Sequence, residues 1–376
     1  MKPSKFRVLH CLRAPVGGLF RHVRDLAAAQ AALGHEVGVL ADSAANDGLT
    51  DQRLAELSKH LSLGLHRAPM SRDLGVRDAT ATFATIALAR RLNIDVIHGH
   101  GAKGGAYARL AASRLKASGS RLAAFYTPHG GSLHYAPSSL KGRIFMGLER
   151  YLAGATDGII FESAYSAKVY AAHVGALNIA SRVIPNGLLP HEFTDHCPVT
   201  TATDIVFIGE LRHLKGVDLL LQAIANGNLP RPITATIVGD GPDAKEFAAL
   251  SASLRLTDRV TFPGAMPAAK AFLLGRILVM PSRAESFPYI VLEAAATGIP
   301  LIATNVGGIG EIVAGTDTHL VPAENVTALR AAILDALADP VAAQARAAQL
   351  KTAVAARFTV ERMTSDIMTF YEASAR

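Results

Sequence analysis

The sequence predicts an α/β protein of two doubly wound domains, each built on a parallel sheet. Three observations carry that prediction. Short apolar runs end in turns, often containing glycine, and lead into helical patterns, and this unit recurs through both halves of the chain. Buried strands alternating with helices imply βαβ units. The stretch "PNGLLPHEFTDHCPVTTATD" at 185–204 is rich in turn formers and has no periodicity, so the junction falls there. Finally, 376 residues suit two domains at roughly 100–200 residues each.

The elements follow in order. Phe6–Cys11 is an apolar strand ending at "RAPVGG", and Leu19–Leu33 a helix closed by Gly34. Val37–Ala41 is a strand, Thr80–Leu92 a helix, Asp95–His98 a strand, Gly105–Leu115 a helix and Leu122–Tyr126 a strand. Leu140–Ala153 is an amphipathic helix, Gly158–Phe161 a strand, Ser163–His173 a helix and Arg182–Pro185 a short strand. In the second half, Ile205–Ile208 and Ile233–Val238 are strands followed by helices, and Val260–Phe262 and Leu278–Pro281 are further strands. Phe287–Thr297 is a helix, Leu301–Ala303 a strand, and Glu311–Val313 opens another element. The tail from Asp339 to Arg376 reads as helical throughout.

Half of the residues are hydrophobic and 18% are charged, a globular composition. Cys11 and Cys197, the two cysteines, lie far apart without CxxC spacing. That argues against a zinc site or a disulfide framework and for a reducing compartment. The amino terminus lacks the apolar core of a signal peptide, and no window is apolar enough to span a membrane. A cytoplasmic protein is expected. The net charge of +7 is uneven: residues 1–190 carry 23 basic and 12 acidic side chains, the remainder 15 and 19. A basic half suits a phosphorylated substrate or an anionic surface. Nucleic acid is not expected, since zinc-finger spacing and RNP-like aromatic runs are absent and aromatic residues make up only 6%.

In doubly wound domains ligands gather at the carboxyl ends of the strands. The loop "IGELRHLKG" at 208–216 sits there. A glycine turn before a helix invites an anion, and Arg212, His213 and Lys215 suit one, whereas Glu210 does not. The loop after the strand ending at Pro281 carries Glu285. Ser286 can cap the helix that follows, Pro288 sits near its first turn, and Glu293 stands about two turns in. Two carboxylates flanking free helix N–H groups suit a ligand with hydroxyls at both ends and a diphosphate between. Two ordinary surface glutamates is the competing reading, and the "TGIP" break at 297–300 and "GGIGE" at 307–311 weigh against it. Gly17 and Gly18 permit close backbone approach to phosphates or acceptor, or form a simple turn. His129 follows a strand in "TPHGG", while His98, His100 and Lys103 lie in "HGHGAK". Asn186–Gly187 is turn chemistry first. "GDGPDA" at 239–244 matches the dinucleotide fingerprint, with Asp258 downstream, and supports a rival reading as an NAD-dependent oxidoreductase.

The spacing from Glu285 to Glu293 resembles the E-x7-E motif of the retaining glycosyltransferases of family 4, whose fold is GT-B. The resemblance runs through "VGG" (16–18), "DVIHGH" (95–100), "YTPHG" (126–130), "VIPNG" (183–187) and "VGDGP" (238–242). It implies an acceptor domain at 1–190, a nucleotide-sugar donor domain at 191–355 facing it across a central cleft, and a last helix, 356–376, packing back on the first domain. It assigns the donor sugar to Glu285, the nucleotide ribose to Glu293, backbone contacts beside the sugar to Ser286, Phe287 and Pro288, and the reacting sugar's face to His129. Domain closure would bring His129 over the donor. Gly17, Gly18, Gly209, Glu210, Arg212 and Lys215 join the donor set. Arg13, Arg21, His100 and Lys103 stand on the acceptor side.

The resemblance implies transfer of a sugar, with retention, from a nucleotide-diphosphate donor to a glycan or lipid-linked acceptor. No cofactor is expected, and the sequence has no D-x-D pair, so no metal is expected at the diphosphate either. The family usually carries G-R-L-x-x-x-K-G where this chain has "GELRHLKG", so the arginine position is Glu210. Arg212 then supplies the charge, and Glu210 pairs with Arg212 or Lys215 or accepts a hydroxyl. A nucleotide-sugar 2-epimerase of the same fold and a binding module without catalysis are further alternatives. A basic patch of Arg13, Arg21, Arg24, Arg72, Arg77, Arg90 and Arg91 is expected to meet an anionic lipid surface at the inner face of the membrane.

Overall fold

The computed structural model describes residues 5–43, 48–70, 75–130, 138–176, 178–225 and 231–374. The chain divides into two compact units, residues 1–187 with 360–376, and residues 188–359.

The first unit runs β1 (Arg7–Leu12), α1 (Gly17–Ala32), β2 (Glu36–Asp42), α2 (Gly48–Ser58), β3 (Gly64–Ala68), α3 (Val76–Arg91), β4 (Val96–His100), α4 (Gly101–Ala117), β5 (Ala123–Thr127), α5 (Leu140–Ala153), β6 (Gly158–Phe161), α6 (Ala164–Val174) and β7 (Ala180–Val183). All seven strands are parallel, in the order β3-β2-β1-β4-β5-β6-β7. Strands β4, β5 and β6 are buried along their whole length, as strands covered on both faces must be. Helix α4 sits unusually close to the sheet because glycines meet there. A Cβ on Gly104 would stand 2.3 Å from the Cys11 carbonyl oxygen, and one on Gly105 2.2 Å from the Tyr126 ring. Ser139 and Ser163 cap α5 and α6 by accepting backbone N–H bonds from Gly142 and Ser166. Gly34, with φ 89°, follows the end of α1 as the sequence predicts.

The second unit runs β8 (Thr203–Ile208), α7 (Val217–Ala225), β9 (Ala235–Val238), α8 (Ala244–Ser253), β10 (Val260–Gly264), α9 (Ala268–Ala271), β11 (Gly275–Met280), α10 (Tyr289–Thr297), β12 (Leu301–Thr304), α11 (Ile309–Val313), β13 (Leu320–Val321), α12 (Val326–Ala338) and α13 (Pro340–Arg357). Its six strands are parallel in the order β10-β9-β8-β11-β12-β13. Apolar clusters cover both faces of this sheet.

The tail departs from the sequence expectation. It is not helical throughout, because Phe358 turns inward against Phe287 with ring centroids 5.6 Å apart, and its carbonyl accepts the Leu188 N–H at 3.0 Å. The chain restarts as α14 (Val360–Ser374), whose buried stripe of Met363, Ile367, Phe370 and Tyr371 packs in the first unit. Phe125 meets Phe370 and Tyr371 with centroids at 5.4 and 4.4 Å.

Inside the first unit, Arg109 on α4 is fully buried. It donates to Glu149 of α5 at 2.9 Å and lies 3.8 Å over the Tyr126 ring. Tyr126 and Tyr170 also donate to Glu149, at 2.9 and 3.4 Å. One carboxylate thus ties α4, α5, β5 and α6 together.

Candidate functional site

Strand order reverses between β8 and β11 in the second sheet, and the loops leaving these two strands lie side by side at its carboxyl edge. They carry the principal charged pair. Lys215 donates to Glu285 Oε1 at 2.7 Å, and Ser282 donates to the same oxygen at 2.7 Å. The Glu285 side chain is only 8% exposed.

Backbone packing dictates this geometry. Gly216 holds φ 71°, and a Cβ there would stand 2.0 Å from the Pro281 carbonyl oxygen, so only glycine lets the two loops touch. Gly307, with φ 59°, would place a Cβ 1.8 Å from the Glu285 carbonyl oxygen. Beside it, the Gly308 N–H donates to the Ser286 carbonyl at 2.7 Å. The "GGIGE" segment therefore braces the backbone that presents Glu285. Arg283 adds a clamp: it bonds both Asp218 oxygens at 2.8 and 2.7 Å, the His213 carbonyl at 2.6 Å and Glu324 at 3.0 Å. Partial burial disfavours the Asp218 carboxylate, but the bonds from Arg283 outweigh it and hold Asp218 below the usual carboxylate range.

Several expectations change here. The N-cap of α10 is Pro288, without a side-chain cap, rather than Ser286, whose backbone carbonyl accepts the Gly308 N–H. The helix begins at Tyr289, so Glu293 stands about one turn into it rather than two. Phe287 is buried against Phe358. Of the two cations offered to Glu210, Arg212 takes it, at 3.6 Å with both side chains about half exposed, while Lys215 is committed to Glu285. The "GDGPDA" turn is a brace rather than an open cradle. A Cβ on Gly239 would meet the Gly209 carbonyl oxygen at 1.8 Å and one on Gly241 the Leu211 carbonyl oxygen at 2.5 Å. Asp258 lies before the start of β10, at the opposite edge of the sheet from Gly239, whereas the fingerprint's acidic residue serves the same edge. Sequence reasoning missed Ser282, Arg283 and Asp218. Their signal was position, directly after β11 or at the start of α7.

A second polar cluster lies in the first unit, where its strand order reverses between β1 and β4. His10 of β1 is in register with His98 of β4, and His100, two residues on, shares their face. Helical spacing aims His22, Leu26 and Gln30 of α1 at that face. His129 follows β5 with φ 50°, a left-handed conformation in which histidine is enriched. The rings form a hydrogen-bonded chain. His10 meets Gln30 Oε1 at 2.8 Å and His100 at 2.9 Å, and His100 meets His129 at 3.2 Å. His98 contacts Thr127 Oγ1 at 2.8 Å and the Tyr371 hydroxyl at 2.6 Å, and His22 contacts Asn186 Oδ1 at 2.9 Å. Burial pushes His10 and His22 down to about 4 and His98, His100 and His129 well below the ordinary imidazole value, so all five are neutral at pH 7.

The structure brings His100 and His129 together and adds His10, His22 and Gln30, which the sequence reading did not select. Asn186, read as a turn residue, orients His22. Lys103 pairs with Asp78 at 2.6 Å, and Arg21 pairs with Asp25 at 3.4 Å. Arg13 is half-buried. Gly17 and Gly18 open α1 as its first two residues, in the first unit; a Cβ on Gly17 would meet nothing within 4 Å. Arg77, Arg90 and Arg91 are exposed on α3, Arg24 is held by Asp25, and Arg72 lies outside the described residues.

Two parallel-sheet α/β units of this topology define a GT-B protein. The model of "Glycosyltransferase Family 4" matches residues 16–190, and that of "Glycosyl transferases group 1" matches residues 193–356. The chain is a GT-B glycosyltransferase with one domain of each type. It is 28% identical to a glycogen synthase of Mycobacterium tuberculosis over 93% of this chain and 87% of that protein. It is 34% identical to a lipopolysaccharide core mannosyltransferase of Rhizobium leguminosarum bv. viciae over 43% and 49%. Two solved structures share the fold. A sucrose-phosphate synthase of Thermosynechococcus elongatus matches with TM-score 0.82 over 98% of this chain and 99% of that one, at 22% identity. Anabaena HepE, in complex with UDP and glucose, matches with TM-score 0.80 over 98% and 100%, at 18% identity.

Proposed function

We propose that this glycosyltransferase moves a hexose, with retention, from a nucleotide-diphosphate donor to a hydroxyl of a glycan or lipid-linked acceptor. The observation that carries the donor assignment is the Lys215–Glu285 pair at the reversal point of the second sheet, beside the start of α10. The first turn of α10 carries no acidic residue, so the positive end of its dipole suits an anion. As the glycosidic bond breaks, negative charge grows on the departing diphosphate; the Lys215 ammonium and the α10 dipole stabilise it. Glu285 serves the sugar, Glu293 the ribose, and neutral His129 offers a hydrogen bond to the reacting sugar. Arg212 supplies the second cation at the Glu210 position.

The cationic groups take the place of a metal at the diphosphate, so transfer survives EDTA. Loss of activity restored by Mg²⁺ or Mn²⁺ would contradict that. UDP-glucose is the first donor to test, because HepE holds UDP and glucose. A panel of UDP-, GDP- and ADP-sugars, read by melting temperature, identifies the donor, since a ligand bound only by the folded state raises it.

No helix among the described residues is long and apolar enough to cross a membrane. A peripheral contact is supported by α5. It exposes Leu140, Ile144, Leu148 and Tyr151, spaced for one face, with exposed Lys141, Arg143 and Arg150 beside them. Apolar and aromatic residues flanked by cations suit the boundary of an anionic bilayer. This helix joins the exposed Arg77, Arg90 and Arg91 of α3 as a membrane-facing candidate, whereas Arg21 and Arg24 pair with Asp25.

A further inference from the structure

We propose that His22, His100 and His129 form a binding site for a borderline divalent metal ion, zinc above all. Hydrogen-bond logic carries the argument. Asn186 presents its Oδ1, an acceptor, to His22 Nδ1 at 2.9 Å, so the His22 proton sits on Nδ1. His22 Nε2 then carries a bare lone pair, and it is buried without a hydrogen-bond partner among the described residues. The second lone pair comes through a relay. Gln30 Oε1 takes the proton of His10 Nε2 at 2.8 Å, which leaves His10 Nδ1 as an acceptor. His100 Nε2 must donate to it at 2.9 Å, and His100 Nδ1 is therefore bare as well. That nitrogen faces His129 Nε2 at 3.2 Å.

The geometry fits a shared ion. Nitrogens bound tetrahedrally to zinc at about 2.0–2.1 Å lie about 3.3 Å from one another, and their ring centres about 5 Å apart. Here the three ligand atoms lie within 4.8 Å of each other, and the ring centroids are 4.8, 5.4 and 5.6 Å apart. Ion binding needs one change: the His129 proton moves from Nε2 to Nδ1, with no net release. Asn186 and the His10–Gln30 pair hold the other two ligands in the required tautomers, as outer partners of metal-bound histidines do. The neighbouring triad of His10, His98 and His100 does not qualify, because Thr127 and Tyr371 engage both nitrogens of His98. Three neutral imidazoles without a carboxylate favour Zn²⁺, Co²⁺ or Ni²⁺ over Mg²⁺ or Ca²⁺. A three-histidine set leaves a fourth position open. Occupied, the site takes His129 Nε2 out of use, so zinc inhibits transfer; that consequence alone rests on the role proposed for His129.

The test is titration of the chelator-treated full chain with Co²⁺, followed by the visible d–d bands of four-coordinate cobalt. One equivalent should give a tetrahedral spectrum that Zn²⁺ erases and Mg²⁺ does not. His22→Phe, with its fold checked by circular dichroism, should abolish the spectrum. Asn186→Ala should weaken Co²⁺ binding about 10–100-fold. His60→Ala, at an exposed histidine elsewhere, should leave it unchanged. A featureless or six-coordinate spectrum overturns the site, as does undiminished binding in folded His22→Phe. Neither result depends on the sugar-transfer assignment.

Discussion

The two polar clusters occupy the same place in their respective sheets, the carboxyl edge where strand order reverses, yet they are built oppositely. In the second unit the groups are charged and lie on loops, and glycines hold them in place. In the first unit they are neutral and mostly buried, and they lie mostly on strands and a helix, held by a chain of hydrogen bonds. The first arrangement suits a ligand that brings its own charge, such as a diphosphate. The second suits a ligand that needs orientation and lone pairs, such as a hydroxyl or a metal. Equivalent positions in a doubly wound sheet therefore say where a ligand binds, and the side chains there say which kind.

The largest effect should come from breaking the charged cluster. Lys215→Ala and Glu285→Ala should each lower transfer about 100–1,000-fold, as loss of a group that stabilises developing charge does, with circular dichroism unchanged. Full activity in either folded variant removes the role given to that residue. Next is the scaffold beneath the histidines. Arg109→Ala leaves the Glu149 carboxylate buried without a cation and should cost about 3–5 kcal/mol in urea unfolding, whereas Arg109→Met together with Glu149→Leu should recover most of it. Equal losses in the single and double variants would show that the pair's charges are not what matters.

The neutral cluster should reveal itself in pH. Burial depresses the folded pKa of His10 and His22 to about 4 from the ordinary 6.5. The unfolded chain binds more protons through that window, so stability is fully present above about pH 6.5 and falls as pH drops toward 4, by about 1.4 kcal/mol per unit for each histidine. Melting curves of chelator-treated protein should show the loss concentrated between those values; a flat profile there would contradict neutral burial. The smallest effect belongs to Glu210. Its contact with Arg212 is exposed and worth at most about 1 kcal/mol, so Glu210→Arg should tighten donor binding by a few-fold at most. If transfer falls instead, the carboxylate acts on donor or acceptor.

Legibility in the sequence followed the same division. The loops of Lys215 and Glu285 could be read because glycine, proline and charge punctuate them, and because each follows an apolar strand. The histidine cluster was half legible: His100 and His129 follow strands, but His10 and His22 look like ordinary members of a strand and a helix. Only the register of β1 with β4 and the packing of α1 bring them together. Among elements, α2, β3, α9, β13 and α12 escaped notice, the first two for a related reason. Helix α2 has a weak apolar face, and β3 is an edge strand that is mostly half-buried. The tail break at Phe358 was invisible because nothing local stops the helix there; a tertiary contact with Phe287 does.

The central claim is that the second unit holds a nucleotide-diphosphate sugar through Lys215 and Glu285. The most direct measurement is the melting temperature of the wild-type chain and of Lys215→Ala with saturating UDP-, GDP- and ADP-sugars. The account predicts a rise for at least one donor in the wild type and its loss in Lys215→Ala. No rise with any donor, or an equal rise in both proteins, would contradict it.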